Sequence, residues 1–519
     1  MENKRVLLIS FYNNKAMGVR CLEKALQTAG YEVFIIFFKN FNSMKPKMCT
    51  DKELSYLTDL IGVIEPSIIG LSVMSTFYLE AVLKVNSYIK DNYDIPVVWG
   101  GVYPSLFPED CLKFSDYVVV GEGEHTIIEL AKAIRDKKRV QAIKNLGYHT
   151  KDDVKINDVR ALNEDPDEFG PPILGGDNKF AVDHDKVSFG DPQLNSTSYE
   201  LAATKGCPFA CSYCSSVNLR RLYKGKGKYI RYRSVSSVIN ELIDAKIKMK
   251  NLRYIRFWDE IFSDDEKWIR EFCESYVKYI NLPFEIWCHP LKVKKNVIQR
   301  LTQAGLHKVV MGIQSGSERI LKDIFHRYEH TQDILKACNI FNECKVPEVV
   351  YDFILMNPFE TEADLIETFE LVRKIPRPFE LQIHGLNFLP GTDIVQIALE
   401  RNVVDYDKLN KIMFGTMEEQ YSHYWGADQK NPKQNFWLSL IHLSQFNGLS
   451  TIADYLSVRS YRTIVTKVAA LLYKVSRKLA RIRHLYKKAG MLASSTIHQT
   501  VTGRRQRVQL KKAFTNYMQ

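Results

Sequence analysis

The sequence predicts an α/β fold class. A Rossmann-like layer domain comes first, then a partial (β/α)6 barrel of the TIM type, then a helical C-terminal region. Three observations predict it. Short apolar, β-branched runs alternate with amphipathic helical stretches in two successive series, the pattern of parallel sheets covered by helices. Several runs end in glycine-rich or cysteine-bearing loops, where α/β folds place their ligands. The composition is ordinary for a globular chain of 519 residues, with 45% hydrophobic and 25% charged residues. That excludes wholesale disorder, collagen-like repeats and a small disulfide scaffold, and at about 150 residues per domain it allows roughly three domains.

The first series occupies residues 1–140, with predicted strands at Val6–Phe11, Val33–Phe38, Ile68–Val73, Pro96–Gly101 and Tyr117–Gly121. Helical periodicity over Val19–Gly30 and Leu79–Tyr93 supplies the covering layers. Residues 141–195 carry Asp165-Pro166, Gly170-Pro171-Pro172 and Gly175-Gly176 and are expected to be a linker. The second series spans 196–400, with strands predicted at Tyr199–Ala203, Tyr254–Trp258, Phe284–Cys288, Val309–Ile313, Val349–Leu355 and Glu380–Leu386. Helices are expected at Val235–Met249, Lys294–Ala304 and Glu362–Ile375, so the active site should lie at the C-terminal strand ends. A helical region (401–458) and a basic tail (459–519) follow.

The charge is unevenly spread. The net +12 comes from 72 Lys and Arg against 60 Asp and Glu, yet residues 459–519 hold 15 basic and no acidic side chains. Without that tail the body is −3. Within the tail, Val468, Leu471, Leu472, Val475, Leu479, Ile482 and Leu485 form one helical stripe, with Lys467, Lys474, Lys478, Arg481 and Lys488 around it. A cationic amphipathic helix suits an anionic membrane surface; a terminal helix packed on the barrel with a solvated basic face is the plainer alternative. Aromatic interleaving is sparse, so nucleic acid is not favoured. No secretory signal or spanning segment is read, which points to a cytoplasmic protein, with the tail adding a peripheral position at the inner membrane face. Ten cysteines in that compartment are not a disulfide framework, and seven of them are scattered as small buried hydrophobes.

The other three are grouped. Cys207, Cys211 and Cys214 follow a predicted strand in Gly206-Cys207-Pro208-Phe209-Ala210-Cys211-Ser212-Tyr213-Cys214. Three thiolates at C-x3-C-x2-C spacing can ligate three irons of a cubane cluster and leave the fourth open. Structural zinc would want a fourth Cys or His, and a disulfide plus a spare thiol suits an oxidising compartment. The spacing, with Tyr213 before the last cysteine, resembles the radical S-adenosylmethionine (SAM) superfamily, and the resemblance implies that Tyr213 is one of the SAM contacts. That resemblance implies a [4Fe-4S] cluster whose open iron chelates SAM and whose electron cleaves it to a 5′-deoxyadenosyl radical. It also implies a one-electron reductant such as flavodoxin or ferredoxin. Asp259 and Glu260, in Arg256-Phe257-Trp258-Asp259-Glu260-Ile261-Phe262, stand where relatives contact the SAM amino group. Gln314, Ser315 and Ser317, in Gly312-Ile313-Gln314-Ser315-Gly316-Ser317, stand in the ribose-contacting segment, with Gln314 where many relatives carry Glu. Asn357-Pro358-Phe359-Glu360-Thr361 and Leu389-Pro390-Gly391-Thr392 fall in the remaining family positions, the former without its usual glycines.

The first domain resembles the cobalamin-binding domain. Ser72-Val73-Met74, Gly100-Gly101 and Gly121-Glu122-Gly123 end successive strands, where glycines admit a large flat ligand. The first loop, Asn13-Asn14-Lys15-Ala16-Met17-Gly18, keeps the glycine but has Lys15 in the histidine position. An ammonium has no lone pair for cobalt, so the cofactor would lack that protein ligand, as in many cobalamin-dependent radical SAM proteins. Asn13, Gly18, Ser72, Gly100, Gly101, Gly121 and Gly123 are the implied cobalamin contacts. No G-x-G-x-x-G follows the first strand, which argues against a nicotinamide site. The flanks of Cys21 and Cys111 do not match methylthiotransferases. The family resemblance implies methylation of an unactivated carbon of a small or lipid-like substrate, with methylcobalamin as donor. A radical rearrangement or cyclisation with cobalamin non-methylating or absent is the alternative, and a tail-driven membrane- or nucleic-acid-associated binding protein is the reading from another class.

Overall fold

In a computed structural model, described over residues 3–41, 47–425 and 432–458 and at five further positions (467, 471, 474, 475 and 478), both α/β units form as expected. The first is a nine-stranded sheet: β1 Arg5–Phe11, β2 Glu32–Phe38, β3 Ile68–Ser72, β4 Val97–Gly100, β5 Tyr117–Val119, β6 Leu146–His149, β7 Val154–Ile156, β8 Lys179–Asp183 and β9 Lys186–Phe189. Their order is β7-β6-β5-β4-β3-β1-β2-β8-β9. β5, β4, β3, β1, β2 and β8 run parallel, so β1 lies between β3 and β2 at the switch in strand order. Central strands buried on both faces must be apolar throughout, and Val6–Ile9 and Ile35–Phe38 are. Helices Asp51–Ile64 and Leu79–Asn92 cover one face; Met17–Thr28 and Glu124–Arg135 cover the other.

Residues 141–195 are not a linker. They contribute β6 and β7, antiparallel on one edge, and β8 and β9 on the other. The physical reason is the need to cover two exposed sheet edges. Salt bridges fix the outer strands in place. Lys179 Nζ is 2.6 Å from Glu23 Oε1, both side chains fully buried, and Lys39 Nζ is 3.0 Å from Asp183 Oδ1. Arg20 donates from both terminal nitrogens to Asp191 at 2.7 Å each.

The second unit has strands β10 Ser198–Leu201, β11 Thr204–Lys205, β12 Arg231–Tyr232, β13 Tyr254–Phe257, β14 Phe284–Cys288, β15 Leu306–Gln314, β16 Glu348–Ile354 and β17 Glu380–His384. β10 and β13–β17 form one parallel six-stranded sheet in the order β10-β13-β14-β15-β16-β17, the partial barrel. β11 and β12 form a short antiparallel ribbon. Side chains alternate across each strand. Leu201, Ile255, Phe257, Ile286 and Met311 join the core under the helices. Glu200, Arg256, Trp258, Glu285, Trp287, Lys308 and Gly312 therefore face the lumen. Beyond residue 400, helices Pro432–Leu443 and Leu449–Ser457 extend the barrel core through Phe436, Trp437 and Leu456. Most of the basic tail lies outside the described residues. Its five described positions are helical and exposed, Leu471 at 62% and Val475 at 45%. No described helix is long and apolar enough to cross a membrane.

Asp191 gives a test of this edge packing. Burial alone would push its carboxyl up, but the Arg20 fork and the backbone N–H groups of Gly175 and Gln193 hold it below the ordinary range. Its stabilisation is complete above the unfolded value of about 3.9 and is lost as pH falls through the lower folded value. Asp191→Ala leaves Arg20 buried without its partner and is expected to cost about 3–5 kcal/mol in urea unfolding at neutral pH, a deficit that shrinks in acid.

Candidate functional site

The cysteine loop leaves β10 through Ala203 and Thr204. Asp259, just past β13, accepts hydrogen bonds there from Ala203 N (3.0 Å), Thr204 N (2.6 Å) and Thr204 Oγ1 (2.6 Å). Burial lifts its carboxyl to about 6 against these donors. Asp259 thus braces the loop from below and is not free to contact a ligand, a correction to the sequence reading. Gly206 has φ +92°, and a Cβ there would lie 2.6 Å from Tyr229 O, so the approach to Cys207 requires glycine.

Cys207, Cys211 and Cys214 are free thiols at one locus. Burial pushes Cys207 to about 12 and Cys214 to about 11, with the neighbouring cysteines adding to it. As thiolates here they would need a strong local positive charge. Among the described residues, no group of three or more His, Cys, Asp or Glu side chains is arranged for a single metal ion. A cubane spreads its ligands, one cysteine to each iron, so this donor set fits a cluster better than one tetrahedral ion.

A cation lies beside it. The buried Arg327 has Nη1 3.9 Å from Cys211 Sγ and 3.3 Å from Tyr213 Oη, and its Nη2 donates to Gly312 O at 2.7 Å. Its Nε donates to Glu329 Oε1 at 2.7 Å. His289 lies 3.5 Å from Glu329 Oε2, and Phe209 of the cysteine loop stacks on it at 3.6 Å. Burial, with Arg327 and Lys292, takes His289 down to about 2, so it is neutral. Arg327, Glu329 and His289 were not anticipated; only their packing beneath the loop reveals them. Tyr213 is wedged between Arg327 and Phe325.

The remaining predicted SAM contacts divide. Glu260 accepts from Ser216 Oγ at 2.6 Å, one residue past the helix start after Cys214, and is otherwise open. Burial raises its carboxyl, and it interacts electrostatically with Cys207 and Cys214. Gln314 is buried with φ +70°, and its Oε1 lacks a hydrogen-bond partner. Such an orphan acceptor fits a polar ligand. Ser315 and Ser317 are fully buried: Ser315 Oγ accepts from Ser317 N, and Ser317 Oγ donates to Asp364 at 2.7 Å. Both hydroxyls are engaged within the protein, and Ser317 ties the strand end to helix Glu362–Lys374 through Asp364. Glu360, pushed up to about 8 by burial, also has an oxygen without a partner.

In the first domain, Gly18, Ser72, Gly100, Gly101, Gly121 and Gly123 line one cavity of about 380 Å³. It is walled by Leu8, Val98, Val119 and Ile127, and closed on the barrel side by Leu201, Ala202 and Lys205. Gly101 has φ +117° and a Cβ there would lie 2.6 Å from Val73 O; at Gly18 a Cβ would project into open space. Asn13 is not in the lining and instead accepts from Lys15 N, at 2.9 Å, within its own turn. Lys15 turns to the barrel, donating to Ser198 Oγ at 2.9 Å and Glu200 Oε1 at 2.7 Å. A glycine-edged, largely apolar cavity at the strand switch fits a flat cofactor with a buried tail.

Fold and site together define an enzyme with a radical-generating barrel joined to a corrinoid domain. The radical SAM superfamily matches residues 201–372 and the B12-binding domain residues 6–131. The chain carries a B12-binding domain followed by a radical SAM domain, the arrangement of the B12-binding members of the radical SAM superfamily. It is 27% identical over 370 residues to an uncharacterized methyltransferase of Pyrococcus horikoshii, covering 69% of this chain and 74% of that one. It is 23% identical to the anaerobic magnesium-protoporphyrin IX monomethyl ester cyclase of Rubrivivax gelatinosus, covering 63% of this chain and 57% of that one. In fold it is similar to the radical SAM methyltransferase TsrM of Kitasatospora setae with cobalamin and [4Fe-4S] cluster bound, at TM-score 0.62 and 15% identity, covering 91% of this chain and 99% of that one.

The two adjacent acids should separate on substitution. Asp259→Ala removes a charged acceptor from buried donors and is expected to cost about 3 kcal/mol, with parallel loss of bound iron. Glu260→Gln is expected to leave both unchanged while weakening SAM retention in equilibrium dialysis at least severalfold. Equal effects of the two would contradict the assignment of brace and contact.

Proposed function

We propose that the enzyme methylates an unactivated carbon of a small organic substrate held in the barrel lumen. The observation that carries this reading is a juxtaposition. Leu201, Ala202 and Lys205, which lead into the cysteine loop, also close the cavity of the first domain. One short segment therefore separates the place for a radical from the place for a methyl carrier.

When bound, the cluster and SAM supply a 5′-deoxyadenosyl radical, and cobalamin supplies the methyl carrier. The chain's own residues hold and insulate. Cys207, Cys211 and Cys214 hold the cluster, and the Arg327 guanidinium offsets its negative charge. Glu260 receives the SAM ammonium, and the orphan oxygen of Gln314 accepts from the ribose. Gly100 and Gly101 let the corrin edge approach the backbone. Lys15, tied to Glu200 and Ser198, would supply no metal ligand to a cobalamin held there. A one-electron donor such as flavodoxin or ferredoxin completes the system, and the basic tail would add attachment to an anionic surface.

Two soluble products test the reading. Anaerobically reconstituted protein with reductant and SAM should release 5′-deoxyadenosine, and with substrate should also release S-adenosylhomocysteine, both read by mass spectrometry. 5′-Deoxyadenosine alone during turnover would favour ring formation, as the similarity to a cyclase allows, and neither product would overturn both readings. The two sites should also dissociate. Cys211→Ala is expected to lose cluster iron yet retain cobalamin on desalting. Gly18→Leu, which adds bulk only to the cavity, is expected to lose cobalamin yet keep its iron.

A further inference from the structure

The lumen is floored by charge. Glu200 and Glu285 flank Arg256 at 3.7 and 3.2 Å, Lys308 is 3.7 Å from Glu285, and Lys15 reaches Glu200 from the first domain. Two residues further along β13 and β14, the same inward positions carry Trp258 and Trp287. Their rings are stacked, with centroids 5.5 Å apart and planes 25° apart. Trp258 is 42% exposed, and the buried Nε1 of Trp287 has no hydrogen-bond partner. A buried indole N–H ordinarily finds an acceptor. On the facing strands the next inward level has Gly312, which contributes no side chain, and Asp352, which lies 3.1 Å from His384. Glu260, beside the cysteine loop, is two residues from Trp258.

We propose that Trp258 and Trp287 are the substrate-selecting wall of the lumen, and that the substrate presents a planar aromatic skeleton which stacks on Trp258. This rests on the lumen being the reaction chamber. A half-exposed indole already stacked on one partner offers a flat, polarizable surface beside the radical site. An aliphatic chain would bury there but would gain nothing from ring orientation, whereas an aromatic ring gains on the order of 0.5–1.5 kcal/mol beyond its area, roughly three- to tenfold in affinity. The proposal therefore concerns ring character and not apolarity as such.

The test is equilibrium dialysis of reconstituted holoenzyme against two matched probes, naphthalene-2-carboxylate and its saturated counterpart decahydronaphthalene-2-carboxylate. They share charge and carbon count and differ in planarity. The aromatic acid is expected to bind about three- to tenfold more tightly. Trp258→Leu is expected to erase that preference, and Trp258→Phe to keep part of it, with iron content and cobalamin retention unchanged. Equal or tighter binding of the saturated acid, no binding of either at millimolar concentration, or a preference that persists in Trp258→Leu would overturn the proposal. The wild-type comparison decides even if a variant fails to fold. Because dialysis needs no turnover, a failure here leaves SAM cleavage intact and is distinct from failure of the methylation reading.

Discussion

The site depends on how a loop of three cysteines is kept in place beside buried charge. The loop must leave β10, stay out of bulk water and present its thiols together, and each requirement strands polar groups. Asp259 satisfies the backbone where the loop starts, and Ser212 satisfies it midway, donating from N to Phe325 O at 3.0 Å and from Oγ to Ile324 O. Arg327 is held by Glu329 and Gly312 so that its charge lies beside Cys211. A buried cation of this kind is costly unless paired, and pairing with Glu329 alone would cancel its field. Its second face, turned to the sulfur of Cys211 and to Tyr213, leaves N–H donors that would face an anionic cluster. The same network reaches Phe209 through His289, so electrostatics and loop shape are set together.

How much of this could be read from the residues alone follows from range. The cysteine loop, the strand-end glycines and both βα series rest on local spacing and periodicity, and the predicted strands reappear in the structure with ends within three residues of those expected. Asp259, Ser315 and Ser317 did not transfer as ligand contacts, because adjacent positions on a strand end point in opposite directions. Glu260 and Gln314 kept open polar atoms while their neighbours turned into the wall. Asn13 failed for a similar reason, since its side chain closes its own turn. Arg327, Glu329 and His289 are unremarkable in sequence and acquire meaning only from contacts with a loop more than 70 residues away. The error over residues 141–195 was of another kind. Lys179-Phe180-Ala181-Val182 and Lys186-Val187-Ser188-Phe189 flank His184-Asp185, both with positive φ, which is a two-residue hairpin signal. The prolines and glycines just upstream masked it.

The two domains are joined by more than the chain. Tyr223 Oη, at the end of the helix after Cys214, accepts from Glu122 N at 2.6 Å, and a Cβ on Gly121 would collide with it. Arg231 of β12 pairs with Glu122, and Arg20 and Asp191 lock the strand edge that leads into the barrel. The Tyr223 and Arg231 contacts fall just past β5, at Gly121 and Glu122 on the rim of the cavity. The rim of the corrinoid site is thus built partly from the barrel, so the distance between the two reaction sites is fixed by packing and not by a flexible connection.

Lys15 follows the same logic. The Lys15 side chain reaches the nearby lumen, which offers Glu200, already shared with Arg256. Once Lys15 donates to Glu200 and Ser198, the charge is satisfied inside the barrel edge and cannot easily return to the cavity, because withdrawing it would leave Glu200 with only the more distant Arg256. Lys15 therefore braces the barrel floor from the first loop of the other domain, and its ammonium offers no lone pair to a metal. A near-neutral catalytic body with a separate basic tail is consistent with this economy, since the charges inside the body are spent on holding the two halves in register.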